Sequence, residues 1–183
     1  MLISHPPRRR PGLTLAGMAV GLTAIFAPGW LAALAPAAAK PRLIYNASAS
    51  IPRGFYALTA QPPRVGDVIL TRLPAAAAQL AAARRYLPIN VPLIKPIAAG
   101  PGDHVCVRDG QVRINGRVVA RTLAIDSRGR PLVAWPGCRR LSPNEWFLLS
   151  TDNPASFDSR YFGPISRTAA YGRAVPLWVW NTP

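Results

Sequence analysis

Residues 93–116 read LIKPIAAGPGDHVCVRDGQVRING and favour a β-rich fold. Apolar and β-branched residues in this stretch form the short runs 93–98, 104–108 and 111–114. The runs are separated by Gly-Pro-Gly-Asp and by Asp109-Gly110, and Asn115-Gly116 follows the last one. Asp-Gly and Asn-Gly pairs favour two-residue hairpin turns because both positions tolerate a positive φ. The stretch therefore predicts short strands joined by tight turns.

The chain from residue 40 onward has the same character. Further strand-like runs lie at 54–58, 68–73, 145–150 and 172–180. Residues 75–86 are rich in Ala, follow Pro74 and end before Pro88, which predicts one short helix. Residues 122–138 alternate charge, Gly and Pro without a period and predict a peripheral excursion. We expect a mainly β domain, folded as a compact barrel or as folded sheets, with one short helix.

The composition narrows the class of protein. Half of the 183 residues are hydrophobic and 16% are charged, which supports a packed core and excludes a disordered chain. The net charge is +15, but the arginines are scattered and do not alternate with aromatic residues, so we expect no specific nucleic-acid partner. The chain has two Cys and two His, and His5 and His104 are far apart in the sequence. We therefore expect neither a metal site nor a cofactor.

The amino-terminal region predicts export. Residues 13–39 carry no charged side chain and directly follow a cationic flank that contains Arg8-Arg9-Arg10. A helix of roughly 20 apolar residues spans a bilayer, and a cationic flank stays in the cytoplasm. We expect a cytoplasmic segment at 1–12, one inner-membrane span at 13–39 and a periplasmic domain at 40–183. The break at Pro28-Gly29 also permits a cleaved signal sequence, and either interpretation exports the domain.

The two cysteines can be interpreted in two ways. In an oxidising periplasm Cys106 and Cys138 can form a disulfide that closes a loop of about thirty residues. The alternative is two separate buried thiols. Neither cysteine has the surroundings of a nucleophile, because Cys106 alternates with valines in a strand-like run and Cys138 follows Pro136-Gly137.

Lys95 is a candidate general base because it lies among apolar residues in the run 93–98. Burial disfavours the ammonium ion and lowers the pKa of a lysine, and a neutral amine can accept a proton near pH 7. An arginine could not replace it, since a guanidinium is not deprotonated in a protein. The alternative is a lysine on an edge strand whose ammonium extends to solvent.

Ser48 and Ser50 are candidates for a nucleophilic site. Hydroxyls at i and i+2 lie on the same side of an extended segment, and Pro52 stiffens the chain that follows. The alternative is an ordinary Ser-rich linker. A Ser-His-Asp triad in the exported domain would have to use His104. We do not expect such a triad, because His104 follows a turn at the start of a strand-like run.

Four blocks of sequence resemble the type I signal peptidases, the Ser-Lys serine proteases of the bacterial inner membrane. The blocks are Ser48-x-Ser50-x-Pro52-x-Gly54, Lys95-Pro-Ile-Ala-Ala-Gly-Pro-Gly-Asp, Thr151-Asp-Asn with Asp158-Ser-Arg-Tyr-Phe-Gly, and Gly172-Arg-Ala. They occur in the family's order after a hydrophobic segment. Ile51 directly after the serine, and Pro52 one residue later, are similar to the conjugative-transfer branch of TraF-type peptidases rather than to the general leader peptidases.

The resemblance implies the signal-peptidase β-fold, which is related to that of LexA-type autoproteases, and roles for six residues. They are Ser50 as nucleophile, Lys95 as general base, Ser48 as oxyanion donor, Asp158 and Arg160 as a buttressing ion pair, and Asp152 as a supporting residue. It also implies a membrane-anchored endopeptidase that processes an exported precursor with small residues before the cut. For the TraF branch that precursor is a conjugative pilin propeptide of a type IV secretion apparatus.

Two other classes of protein remain open at this point. One is a catalytically silent periplasmic β-domain that scaffolds pilus or secretion assembly, in which Ser50 and Lys95 are residues of the fold. The other is a soluble autoprotease of the LexA type, against which the hydrophobic segment at 13–39 argues. The separation of Ser50 Oγ and Lys95 Nζ in the folded chain distinguishes a catalytic pair from two unrelated residues.

Overall fold

The computed structural model of the chain describes residues 42–180. The predicted cytoplasmic segment at 1–12 and the predicted anchor at 13–39 lie outside the described residues. Within 42–180, no helix is both long enough and apolar enough to cross a bilayer.

The described residues form two antiparallel sheets. The strands of the first sheet are β1 (Arg42–Asn46), β2 (Arg53–Thr59), β3 (Val68–Thr71), β4 (Leu93–Ala99), β9 (Glu145–Leu148), β10 (Ile165–Ser166) and β11 (Ala170–Trp180). They lie in the order β1-β2-β11-β3-β4-β9-β10. The strands of the second sheet are β5 (His104–Arg108), β6 (Gln111–Ile114), β7 (Arg117–Arg121) and β8 (Cys138–Arg140), in the order β7-β6-β5-β8. The mainly β prediction is therefore confirmed.

Turn chemistry accounts for the second sheet. Asp109 and Gly110 have φ values of 52° and 71°, and Asn115 and Gly116 have φ values of 49° and 83°. Positive φ at both central residues is the hairpin geometry whose twist matches that of the flanking strands. The two dipeptides therefore set the register of β5, β6 and β7.

The predicted helix is present but shorter than expected. Helix α1 spans Ala75–Ala83, and two single turns follow later in the chain, α2 (Ser159–Phe162) and a 3-10 turn (Arg167–Ala169). Arg85 adopts a φ of 59°, which ends α1 three residues before the predicted end. The N–H groups of Arg85 and Tyr86 then bond to the carbonyls of Ala82 and Ala81. This closure turns the chain out of the helix axis at Tyr86.

Residues 122–138 are less peripheral than predicted. The turn at the tip is exposed, but the Trp135 ring packs against the buried Phe147 ring, with centroids 5.9 Å apart. The backbone N–H of Trp135 also donates to the Arg160 carbonyl at 2.9 Å. Gly163 leaves room for this indole, since a Cβ there would lie 2.8 Å from it. The sequence showed no period because this segment is held by individual side chains, such as Trp135, rather than by a strand face.

A disulfide joins Cys106 and Cys138, which lie directly opposite each other in the β5–β8 pairing. Of the two interpretations of the cysteines, the disulfide is therefore present. The cysteines are 32 residues apart, and a cross-link over a loop of that length stabilises a fold by roughly 3 to 4 kcal/mol in the chain-entropy treatment. The bond fixes the carboxyl end of the 122–138 segment to the second sheet.

Candidate active site

The loop that presents Ser50 is organised by Asn46, the buried last residue of β1. Asn46 Nδ2 donates to the carbonyls of Ser48, Ile51 and Pro52 at 3.0, 3.2 and 3.1 Å. Asn46 Oδ1 accepts from the Ser48 N–H and the Ser48 hydroxyl at 3.0 and 2.8 Å. One amide side chain thus satisfies five backbone or hydroxyl groups of residues 48–52. The segment is a constrained loop, so the interpretation as a flexible linker is wrong.

The exit from this loop depends on Gly54. Its φ is 143°, and a Cβ at this position would lie 2.2 Å from the Trp178 carbonyl oxygen on β11. No side chain fits between the two strands there, and few residues other than glycine adopt this backbone conformation. The glycine of the Ser48–Gly54 block therefore allows β2 to approach β11 directly after the serine loop.

Lys95 lies on β4, between β3 and β9 in the interior of the first sheet. The lysine is 2% exposed, so the interpretation as an edge-strand lysine that extends to solvent is wrong. Its Nζ donates to Ser156 Oγ at 2.5 Å, and Ser156 Oγ lies 3.5 Å from Ser50 Oγ. Ser50 Oγ and Lys95 Nζ are not hydrogen-bonded to each other in this structure; the Ser156 hydroxyl lies between them and forms a Ser50–Ser156–Lys95 row.

The surroundings of Lys95 favour its neutral form. Burial lowers the pKa of Lys95 from the ordinary 10.5 to about 8, the Asp158 carboxylate opposes this change, and the Arg160 guanidinium adds to it. A lysine with a pKa near 8 is partly neutral at physiological pH. The amine can therefore accept a proton from a hydroxyl within hydrogen-bond reach.

Asp158 and Arg160 form a fully buried ion pair beneath this row. Arg160 Nε and Nη2 donate to the two Asp158 carboxylate oxygens at 2.7 and 3.0 Å. The remaining guanidinium donors bond to the carbonyls of Ser150, Arg121 and Pro154 at 2.7 to 3.1 Å. All five N–H donors of the guanidinium therefore have oxygen acceptors, which is the condition under which a buried pair is tolerated.

Ser150 connects the buried ion pair to the backbone of Ser50. The Ser150 N–H donates to Asp158 Oδ2 at 3.1 Å, and its carbonyl accepts from Arg160. The Ser150 hydroxyl donates to the Ser50 carbonyl at 2.5 Å. The backbone of Ser50 is thereby tied to the buried ion pair through one intermediate residue.

Ser48 and Asp152 are placed differently from the other predicted residues. Ser48 is exposed beside Ser50, and its hydroxyl donates to Asn46, so it must rotate before it can bond to another oxygen. Asp152 is exposed and accepts from the neighbouring Thr151 hydroxyl at 3.2 Å. Asp152 does not belong to the buried network and is not among the described residues that line the groove.

A groove of about 720 Å³ opens over Ser50, Lys95 and Ser156. Its remaining walls are mostly apolar and come from β1, from the segment after α1, from residues 123–132 and from Phe157 and Tyr161. Within 42–180, no three His, Cys, Asp or Glu side chains are grouped so that they could hold a metal ion. The arrangement offers a hydroxyl that can act as a nucleophile, an amine that can act as a base, and a mostly apolar groove beside them.

Three residues of the site were not found from the sequence. Asn46, Ser150 and Ser156 carry no charge and follow no period, and their types are common in loops. Ser156 lies between Asn153 and Asp158 in one of the matched blocks, which was the one signal available. Their importance follows from burial and hydrogen bonding, which the sequence does not display.

The chain belongs to the S26 signal peptidase family. The family profile "Signal peptidase, peptidase S26" matches residues 16–180. Within the family the chain is TraF-like. A "Conjugal transfer protein TraF" from Agrobacterium tumefaciens (strain 15955) is 30% identical over 182 residues, which cover 94% of this chain and 98% of that protein.

Two further similarities are partial. A "Plasmid transfer protein TraF" from Escherichia coli is 34% identical over 91 residues, which cover 48% of this chain and 51% of that protein, so about half of the relative's length is spanned. A crystal structure of a signal peptidase I from Enterococcus faecalis V583 aligns with a TM-score of 0.39 at 19% identity, and covers 63% of this chain and 98% of that chain.

Replacing Asp158 by Asn tests the role of the buried pair. The variant Asp158→Asn leaves the Arg160 guanidinium buried without a counter-charge, and loss of one partner of a buried pair costs about 3–5 kcal/mol. We expect the free energy of unfolding, measured by urea denaturation, to fall by that amount. The matched control is Glu145→Gln, whose partner Arg139 has a half-exposed side chain, and we expect a loss below about 1 kcal/mol there. Equal losses in both variants would contradict this account of the site.

Proposed function

We propose that this chain is a serine endopeptidase of the signal-peptidase type, with Ser50 as nucleophile and Lys95 as general base. The observation that carries the proposal is a buried lysine of lowered pKa, joined by one hydroxyl to a serine on a constrained loop. A scaffold protein has no need to bury an ammonium group at the edge of an open groove. Membership of the S26 family supports the same reaction class.

In this mechanism neutral Lys95 accepts the Ser50 hydroxyl proton, and Ser156 relays it or moves aside as Ser50 turns toward the lysine. Ser50 Oγ attacks the carbonyl carbon of the scissile bond and expels the amine of the product, which takes the proton back from Lys95. The Ser50 N–H and the Ser48 hydroxyl, once rotated from Asn46, donate to the oxyanion. Water or an internal amine then resolves the acyl-enzyme.

The substrate in this proposal is an exported precursor with small residues before the cut, and a conjugative pilin propeptide is the specific candidate. The relatives named as conjugal and plasmid transfer proteins support the link to conjugation. The proposed location is the inner membrane, with residues 13–39 as the anchor and the described domain in the periplasm. The disulfide supports an oxidising compartment.

An aromatic cluster on the first sheet supports contact with the membrane. We define it as Tyr45, Phe55, Trp178 and Trp180, whose neighbouring rings lie 5.3 to 6.4 Å apart. Trp178 is 71% exposed, and the adjacent Leu43 and Leu177 are also exposed. Aromatic side chains of this kind favour the interface between water and lipid. Tyr45 and Leu43 also line the groove, so contact between the aromatic cluster and lipid would place the mouth of the groove near the bilayer.

The first prediction of this proposal concerns the two catalytic residues. When full-length protein is expressed with a pilin precursor, we expect Ser50→Ala, Lys95→Met and Lys95→Arg each to abolish processing, read as a mass shift of the precursor. Lys95→Arg keeps the charge but removes the base. The control Ser142→Ala changes an exposed serine outside the groove and should process normally. Processing by Ser50→Ala would favour the silent scaffold instead.

The second prediction is a pH profile. Because Lys95 must be neutral to act as a base, and its pKa is lowered to about 8, the rate of precursor cleavage should rise with pH through that value and then level off. The measurement is kcat/KM between pH 6 and pH 9 with the full-length protein. A rate that does not change over this range, or that falls as the pH rises, would exclude a lysine base.

The third prediction tests the membrane contact. The proposed anchor contains Trp30, so the measurement uses the full-length Trp30→Phe protein as its background. In vesicles of brominated phosphatidylcholine that contain this protein, lipid should quench the emission of Trp178 and Trp180. The double variant Trp178→Phe/Trp180→Phe should lose this quenched component, whereas a variant of the buried Trp146, Trp146→Phe, should keep it. An unchanged quenched fraction in the double variant would show that the aromatic cluster does not touch lipid.

A further inference from the structure

Asp126 is the centre of a polar cluster in the wall of the groove. Its Oδ1 accepts from the N–H groups of Arg128 and Arg130 at 2.8 and 2.9 Å. Its Oδ2 accepts from Arg130 Nε at 2.7 Å and from the Tyr86 hydroxyl. The Asp126 side chain is 6% exposed although it lies in a surface turn. The carboxylate therefore organises the tip of the 122–138 segment and also reaches a residue outside it.

The same cluster joins two segments that are distant in sequence. Arg84 Nη1 donates to the Pro131 carbonyl at 2.8 Å, and Arg130 Nη2 donates to the Arg84 carbonyl at 3.1 Å. Together with the bond from Tyr86 to Asp126, these contacts connect the end of α1 to the tip of the segment. We call this set of four residues, Arg84, Tyr86, Asp126 and Arg130, the Asp126 latch.

Apolar packing contributes little at the tip. Ile125 is 55% exposed and Val133 is 82% exposed, and the anchoring Trp135 lies several residues away. Burial of Asp126 would by itself raise its pKa. The hydrogen bonds from Tyr86, from the Arg130 and Arg128 N–H groups and from the Arg130 guanidinium outweigh burial and hold the pKa below its usual range. The Asp126 carboxylate therefore stays ionised, and polar contacts hold this part of the wall in place.

The latch adjoins apolar residues of the groove wall. Leu87, which follows Tyr86, lines the groove, and so do Leu123 and Leu132, which precede and follow Asp126 in the sequence. Phe157 also lines it and packs against the Tyr86 ring, with centroids 5.3 Å apart. Phe157 directly follows Ser156, the hydroxyl between Ser50 and Lys95. The apolar part of the wall is thus adjacent to the Ser50–Ser156–Lys95 row through Phe157.

We propose that Asp126 is a positioning residue that, through its bond with Tyr86, holds Leu123 and Leu132 in the groove wall near Leu87 and so forms a subsite for an apolar side chain of the precursor. This inference rests on the proposed peptidase function, since its occupant is the chain that Ser50 cleaves. An apolar occupant is favoured because the latch cations are paired with Asp126 or with carbonyls, and leucines and an aromatic ring line the groove beside them. The Asp126 carboxylate also lines the groove, but its oxygens already accept hydrogen bonds from Tyr86, Arg128 and Arg130. A charged side chain would lose its hydration there without a partner.

The test uses internally quenched peptides and the full-length protein in detergent. The peptides carry Ala at the residue before the cut and two residues further back, and each remaining position is Leu, Phe, Ala or Asp in turn. We expect one position at which Leu or Phe raises kcat/KM over Asp by about tenfold, mainly through KM. Asp126→Asn and Tyr86→Phe should remove most of this preference at that one position. Tyr86→Phe keeps the ring contact with Phe157 and removes the hydroxyl.

Two further variants keep the test decisive. Leu123→Ala truncates a partly exposed side chain and should remove the same preference, even where Asp126→Asn does not fold. Asp109→Asn changes an exposed turn aspartate outside the groove and should retain the preference. Cleavage without an apolar preference, or a preference that survives both Asp126→Asn and Leu123→Ala, would overturn the subsite and leave the peptidase proposal intact. Cleavage of no peptide and no precursor by the unmodified protein would overturn both.

Discussion

The Asp158–Arg160 ion pair is the constraint on which the site depends. Removing two charges from water costs several kcal/mol for each ion, and the fold offsets this only because all five guanidinium donors find acceptors. These acceptors lie at the end of β7, in the loop before α2 and at Ser150 after β9. The pair therefore satisfies its own hydrogen bonds by holding several segments in one arrangement. Ser150 passes that arrangement on to Ser50.

The same pair explains how Lys95 can be a base. An isolated carboxylate beside the lysine would stabilise the ammonium and raise its pKa, but Arg160 opposes the Asp158 field. Desolvation is the largest of the three effects, so the pKa of Lys95 falls to about 8. A buried pair is therefore more useful here than either residue alone, because it fixes geometry without supplying a strong local charge.

The site is assembled from segments that are far apart in the sequence. The serine loop follows β1, the lysine lies on β4 and Ser156 precedes α2. The groove wall uses residues 123–132, which belong to the segment between β7 and β8. The disulfide at Cys138 joins the end of this segment to β5 of the second sheet, and Trp135 packs against Phe147 on β9 of the first sheet. Among the described residues, no strand of the second sheet lines the groove; the segment between two of its strands does, whereas the catalytic candidates lie on or beside the first sheet.

The sequence by itself determined the mainly β class, the bounds of seven strands to within two residues and the family, and it offered the disulfide as one of two interpretations of the cysteines. Those features depend on local patterns, such as Asp109-Gly110 and the apolar runs, or on spaced motifs. The sequence did not show Asn46, Ser150 or Ser156, nor that residues 122–138 line the groove. Asn46 acts through hydrogen bonds to residues 48–52 of its own loop, whereas Ser150 and Ser156 contact Ser50 about a hundred residues away in the sequence. Only the tertiary structure decides which of many similar serines is buried beside the lysine, because burial and contact are properties of the folded chain.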